Sequence, residues 1–85
     1  MDEIRILGIY VIDRIKEAGR TQKLLSRYAD NIKTRLGFHE VTEQTCSRNG
    51  LIVLELVGDK KQWTDLEHDL EAIEGVQVKR MKFEL

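Results

Sequence analysis

The 85-residue sequence contains no proline and a single cysteine, Cys46. One cysteine excludes an intramolecular disulfide, and such usage is typical of proteins in a reducing compartment. The longest apolar runs are about four residues, whereas a helix that crosses a bilayer needs about 20. The first residues carry both acidic and basic side chains, which does not match a signal peptide. We therefore expect a cytoplasmic protein with no membrane partner.

The sequence has no large excess of charge of either sign, since 14 Lys and Arg nearly balance 15 Asp and Glu and give a net charge of −1. No charge block is longer than three residues, so nothing indicates a basic nucleic-acid footprint or an acidic tail. The length suits one domain, residues 1–85, and its core is small enough that oligomerisation would add useful burial. Direct binding of nucleic acid is not expected.

Two segments, Ile4–Ile12 and Leu51–Val57, are rich in β-branched residues and apolar on both parities. A strand with apolar side chains on both faces is normally central in its sheet and covered on both sides. These segments therefore predict two central strands.

Asn31–Cys46 and Val76–Leu85 alternate apolar residues with polar or basic ones. This alternation predicts half-buried edge strands, the first of them bent at Gly37, with charged residues that block pairing between sheets. An Asn49–Gly50 pair precedes the second central strand and predicts a hairpin there.

Helical periodicity follows each central strand. Asp13 is placed to cap an amphipathic helix that runs to about Tyr28, and Asp59 is placed to cap a second one. The second helix carries a stripe at i, i+3, i+7 and i+10 and ends before Gly75, which suits the C′ position. That stripe is Trp63, Leu66, Leu70 and Ile73.

The element order β-α-β-β-α-β is the split-βαβ arrangement, which predicts an α+β, ferredoxin-like sandwich. Right-handed crossovers give an antiparallel sheet of order 4-1-3-2 with both helices on one face. This topology makes strands 1 and 3 central, in agreement with their apolar pattern. RNA-binding sheets of this topology expose several aromatic residues on these strands, whereas Tyr10 is the only one here.

Apolar side chains must therefore lie on a sheet face that no helix covers. An exposed apolar sheet usually marks a partner surface, and we expect a homodimer or a higher even oligomer. The third strand offers two candidate sets for this face: Ile52, Leu54 and Leu56, or Leu51, Val53 and Val57. We assign the interface to Leu51, Val53 and Val57.

Catalytic and metal-binding chemistry has little support. His39, Cys46 and His68 have neither the spacing of a zinc finger nor that of a helical histidine pair. His68 lies off the apolar stripe and should face solvent. No Ser-His-Asp or Cys-His arrangement is present, and no glycine-rich phosphate loop follows Gly8. We expect no metal site, no cofactor and no enzymatic activity.

Five short segments bear a family resemblance that covers nearly the whole chain. They are Ile6-Leu-Gly-Ile-Tyr-Val-Ile-Asp-Arg14, Leu24-Leu-Ser-Arg-Tyr28, Ile32-Lys-Thr-Arg-Leu-Gly37, Leu51–Val57 and Gly75-Val-Gln-Val-Lys79. Together they resemble the small ACT-like proteins of the iron-only hydrogenase system regulator family. The sequence departs from that pattern in a longer hairpin, Phe38–Asn49, and in His39, where the family often has proline.

That family is similar in turn to the C-terminal domain of nickel-responsive regulators, which binds nickel through a His-x-His pair and a cysteine. The matching positions here are Thr42, Gln44 and Gly50. None of the three is a good nickel ligand, so the resemblance argues against nickel at this site.

The resemblance implies a non-enzymatic regulatory or sensor domain that oligomerises and binds a small molecule near the first strand-to-helix loop. Asp13 and Arg14 are the implied ligand-binding residues, with Arg35 as a neighbour, and a small anion or amino acid would suit Arg14 at a helix N-terminus. Two alternatives stay open. One is a ligand-free module that docks on another protein through its sheet, and the other is a metal-responsive protein that uses the histidines and cysteine named above.

Overall fold

The computed structural model describes residues 2–38 and 49–85, excluding the side chains of residues 14–18 and 38. These residues form four strands and two α-helices, with one turn of 3₁₀-helix before the second strand. No helix in these ranges is long and apolar enough to cross a bilayer. The elements are β1 Glu3–Val11, α1 Arg14–Arg27, β2 Ile32–Phe38, β3 Gly50–Leu56, α2 Lys60–Glu71 and β4 Val76–Glu84.

The four strands form one antiparallel sheet in the order β2-β3-β1-β4. This confirms the predicted order and places the two segments that are apolar on both parities at the centre. Leu7 of β1 lies opposite Leu54 of β3, and both side chains are fully buried. Their neighbours Gly8 and Val53 are paired in the same way on the other face.

The core formed by the described residues lies between the sheet and the helices. Alternate residues of β1 and β3 point into it, and both helices contribute buried apolar residues, so the helices cover one sheet face. The buried members are Leu7, Ile9, Val11, Leu24, Leu25, Tyr28, Leu54, Leu56, Trp63, Leu66 and Leu70. Ile73 packs at the edge of this core, as the predicted stripe requires.

The connection from β3 to α2 depends on a shared carbonyl group and on a glycine. The Val57 carbonyl accepts hydrogen bonds from the Trp63 indole N–H at 2.8 Å and from Asn31 Nδ2 at 3.2 Å. Gly58 follows with φ of +84°, which L side chains rarely adopt. Asp59 then caps α2 by accepting a hydrogen bond from the Lys61 N–H, as predicted.

Two details differ from the prediction. Gly75 does have a left-handed φ of 82°, but α2 ends at the C-cap Ala72, so Gly75 lies beyond C′. It is the third residue of a turn in which the Val76 N–H donates to the Ile73 carbonyl.

The pairing of β2 is irregular between Ile32 and Thr34, rather than at Gly37.

The antiparallel β2–β3 pair is confirmed, with Phe38 opposite Leu51. Gly50 is the first residue of β3 and lies opposite Val11. The rest of the predicted hairpin, the end of the second predicted strand, His39 and Cys46 lie outside the described residues. His68 is exposed on α2, as predicted.

Glycine-to-alanine substitutions at positions 58 and 19 should change stability in opposite directions. At Gly58 a Cβ would lie 2.8 Å from Asn31 Nδ2 in a left-handed backbone, so Gly58→Ala should lower the free energy of unfolding by about 1–2 kcal/mol or more. Gly19 is exposed in α1, and a Cβ added there would have nothing within 4 Å. Gly19→Ala should therefore stabilise by about 1 kcal/mol. Urea denaturation at one protein concentration measures both, and equal signs would contradict this account.

Candidate functional site

The sheet face opposite the helices, called here the open face, is built from alternate residues of all four strands. The strand register defines it, because each of these residues lies between two that point towards the helices. Its members are Ile4, Ile6, Gly8 and Tyr10 of β1, Thr34 and Leu36 of β2, Leu51, Val53 and Glu55 of β3, and Gln77, Lys79, Met81 and Phe83 of β4.

Large apolar side chains on the open face are strongly exposed. Tyr10 is 36% exposed and Leu51 42% at the centre, while Leu36, Met81 and Phe83 on the edge strands are 50–55% exposed. The inner-face residues Leu7 and Leu54 are 0% exposed by comparison. The sheet therefore has one covered apolar face and one uncovered apolar face.

The structure decides which parity of β3 faces away from the helices. Leu51 and Val53 lie on the open face, where they are exposed and half-buried respectively. Val57 follows the end of β3 and is half-buried, and its backbone links Asn31 to Trp63. The assignment of these three residues to an oligomer interface stays a prediction.

The implied ligand-binding residues do not come together within one chain. Asp13 is half-buried directly before α1, and Arg14 is the first residue of that helix. Arg35 lies opposite Leu54, and Leu54 lies opposite Leu7. Asp13 is six residues beyond Leu7 along the chain, which places Arg35 roughly 20 Å away along the strand direction.

Arg35 has a local partner instead. Its guanidinium donates to Gln22 Oε1 at 2.8 Å, which joins β2 to α1 at the surface. A shallow cleft beside it is lined by Leu25, Ser26, Ala29 and Ile32. The ligand-binding role of the three residues stays a prediction.

A cluster of charges near the two chain ends was not predicted. Glu3 is 4% exposed although it is charged, and it accepts a hydrogen bond from Arg5 Nε at 2.6 Å. Lys60 at the start of α2 contacts Glu3 at 3.2 Å and Asp2 at 2.7 Å. The Arg5 guanidinium also lies over the Trp63 ring, 5.4 Å from its centroid. The sequence does contain a signal for this cluster. Glu3 and Arg5 are charged residues on the inner-face parity of β1, whose other members are apolar.

These contacts shift the pKa values of the groups involved. The hydrogen bond from Arg5 lowers the pKa of Glu3, with burial opposing it and Lys60 adding to it. The hydrogen bond and charge of Lys60 lower the pKa of Asp2. In return the two carboxylates raise the pKa of Lys60. The cluster is therefore a mutually satisfied ionic network at neutral pH.

A second polar feature joins the two helices. The Tyr28 hydroxyl donates to Asp69 Oδ2 at 2.7 Å, and this hydrogen bond, together with burial, raises the pKa of Tyr28. A cleft of about 320 Å³ next to it has Leu24 and Ile73 at its walls and a basic rim. The rim residues are Arg20, Lys23 and Arg27.

Among the described residues there is no group of three or more His, Cys, Asp and Glu side chains that could hold a metal ion. His68 lies within these ranges, whereas His39 and Cys46 do not. The hypothesis of a metal site that uses His39, Cys46 or His68 therefore stays untested.

The fold and the open face together define a class of protein: a ferredoxin-like domain with one covered and one uncovered sheet face. Comparison with protein-family models and with curated proteins gives no match. Among solved structures, the chain is similar to the uncharacterized protein TM1266 from Thermotoga maritima. That likeness has a TM-score of 0.80 and 27% sequence identity, and it covers 98% of this chain and 100% of that one.

Two further similar structures are an ACT domain and a PII-like protein. The ACT domain of GTP pyrophosphokinase from Chlorobium tepidum has a TM-score of 0.65 at 19% identity, over 95% of this chain and 89% of that one. CPII, a nitrogen regulatory PII-like protein from Thiomonas intermedia K12 bound to ADP, AMP and bicarbonate, has a TM-score of 0.57 at 14% identity, over 98% and 94%. These structural neighbours confirm the predicted ACT-like, ferredoxin-like fold.

The buried Glu3 carboxylate should make stability depend on acid pH. Its folded pKa lies below the ordinary value of 4.5, so its contribution is present above pH 4.5 and is lost as pH falls through the folded pKa. Glu3→Gln should be less stable than wild type at pH 7 and lose less stability between pH 5 and pH 3. Urea denaturation at several pH values measures this. Glu71→Gln, at an exposed position of α2, is the control, and a wild-type slope in Glu3→Gln would contradict the role of Glu3.

Proposed function

We propose that this protein is a small cytoplasmic regulatory domain that works as a homo-oligomer assembled through its open face. The observation that carries the proposal is the uncovered apolar surface, to which all four strands contribute half-exposed large side chains. A surface of this kind is unfavourable in water and usually marks a binding site.

The size of the surface favours a protein partner. Five large apolar residues of the open face are between 36% and 55% exposed, and they expose on the order of 500 Å². That is near the upper end for the largest patch on a monomer, about 300–600 Å². With the polar residues around it, the face approaches the roughly 800 Å² per partner of a standard interface.

A charge introduced on this apolar surface should prevent assembly. Met81 is 55% exposed on the open face of β4, so Met81→Lys should leave the monomer folded and weaken self-association at least tenfold. Sedimentation equilibrium over a range of concentrations measures the effect.

Thr64→Lys is the matched control, because Thr64 is exposed on α2 and receives the same charge. It should associate like wild type. A wild-type protein that stays monomeric at every concentration would contradict the proposal, as would a Met81→Lys variant with unchanged association.

We further propose that the protein binds a small-molecule effector and acts as a regulator of the iron-only hydrogenase system. Support comes from the family resemblance of the Ile6–Arg14 segment and from two structural neighbours, an ACT domain and a nitrogen regulatory protein bound to nucleotides and bicarbonate. Asp13 and Arg14 remain the proposed contacts. The proposed role is non-enzymatic, as the family resemblance implies.

An effector should stabilise the protein against heat, because a ligand that binds only the folded state raises Tm. A screen of amino acids and nucleotides should give a concentration-dependent rise in Tm that Arg14→Ala abolishes. Arg27→Ala, at the other end of α1, should keep the response. The absence of any response would leave the ligand-free docking module, whose sheet binds another protein, as the better account.

A further inference from the structure

Gly8 occupies the centre of the open face. Across the sheet it lies between Val53 of β3 and Lys79 of β4, and along β1 it lies between Ile6 and Tyr10. Each of these four neighbours has a side chain on the same face. Gly8 is therefore the floor of a depression one side chain deep.

The monomer does not need a glycine at this position. Gly8 is not among the glycines with positive φ, and a Cβ there would meet only the Lys79 carbonyl oxygen, at 3.9 Å. Glycine in a strand interior weakens the strand, because it loses more conformational freedom and packs nothing. A glycine in a central strand often marks a place where another backbone or ligand approaches closely.

The open face also carries two charges in complementary positions. Glu55 lies beside Ile6 on one side of β1, and Lys79 lies beside Gly8 on the other side. The Glu55 carboxylate is held by Thr34 at 3.3 Å and Lys33 at 3.7 Å. The midpoint between Glu55 and Lys79 therefore falls on β1, between Ile6 and Gly8.

We propose that two copies of this chain pack open face to open face around a two-fold axis that crosses β1 beside Gly8. The axis brings Glu55 of each copy next to Lys79 of the other, and the missing side chain at Gly8 allows the central strands to approach closely. This inference rests on the proposed self-association and specifies its geometry. A second copy fits because an isologous interface must be self-complementary in charge and shape about its axis.

A side chain that fills the depression should weaken assembly without lowering the stability of the monomer. Gly8→Val adds a β-branched side chain that suits the strand, so the urea midpoint of the monomer should be unchanged or higher. The same side chain blocks the close approach, so the dimer dissociation constant should rise at least tenfold. Gly37→Val is the matched control, because Gly37 is on β2 at an inner-face register position, with nothing within 4 Å of an added Cβ. It should associate like wild type.

A charge swap tests the two-fold geometry independently. Lys79→Glu and Glu55→Lys should each weaken association several-fold by placing like charges together, and the double variant should recover most of the lost affinity. Sedimentation equilibrium at low and high salt gives the readout. Unchanged association in Gly8→Val, or no recovery in the double variant, would overturn the geometry.

The outcomes distinguish this inference from the proposal on which it rests. If Met81→Lys abolishes association while Gly8→Val does not, the open face is the interface but its axis lies elsewhere. If neither variant affects an oligomer that forms, both are wrong. A Gly8→Val variant that is monomeric and at least as stable as wild type supports both.

Discussion

In this βαββαβ topology right-handed crossovers place both helices on one face of the sheet, and the rest of the structure depends on that constraint. β1 and β3 carry apolar side chains on both parities, so burying one parity under α1 and α2 leaves the other exposed. Leu7 and Leu54 are fully buried while Tyr10 and Leu51 on the same two strands remain exposed. The inner face supplies the core that holds the domain together, and the open face supplies the exposed apolar surface on which the proposed association depends.

The position of α2 is set by a few polar contacts around this core. The Val57 carbonyl accepts from both Asn31 and Trp63, which ties the end of β3 to the start of β2 and to the core of α2. Gly58 then allows the chain to turn, because its positive φ suits no bulky residue. Val57 was predicted as an interface residue, and the structure gives its backbone this separate role in the fold.

The ionic network near the chain ends marks where the apolar part of the inner sheet face stops. Glu3 and Arg5 occupy inner-face positions of β1 beyond the apolar core, where Arg5 also lies over Trp63. A buried carboxylate is tolerated there because Arg5 and Lys60 both contact it. The charges therefore close the core at one end of the sheet, while the apolar open face continues past them through Ile4 and Phe83.

The sequence alone determined the element order, because hydrophobic periodicity is a local property. Helix caps such as Asp59 could be predicted for the same reason. It also determined the strand order and the existence of an uncovered face, because right-handed crossovers allow this element order few topologies. The choice between Leu51 with Val53 and Ile52 with Leu54 could not, since both parities of β3 are apolar. Only the packing of the helices and the register with β1 decided it. Likewise, the contact of Lys60 with Glu3 joins residues far apart in the chain, and tertiary structure alone brings them together.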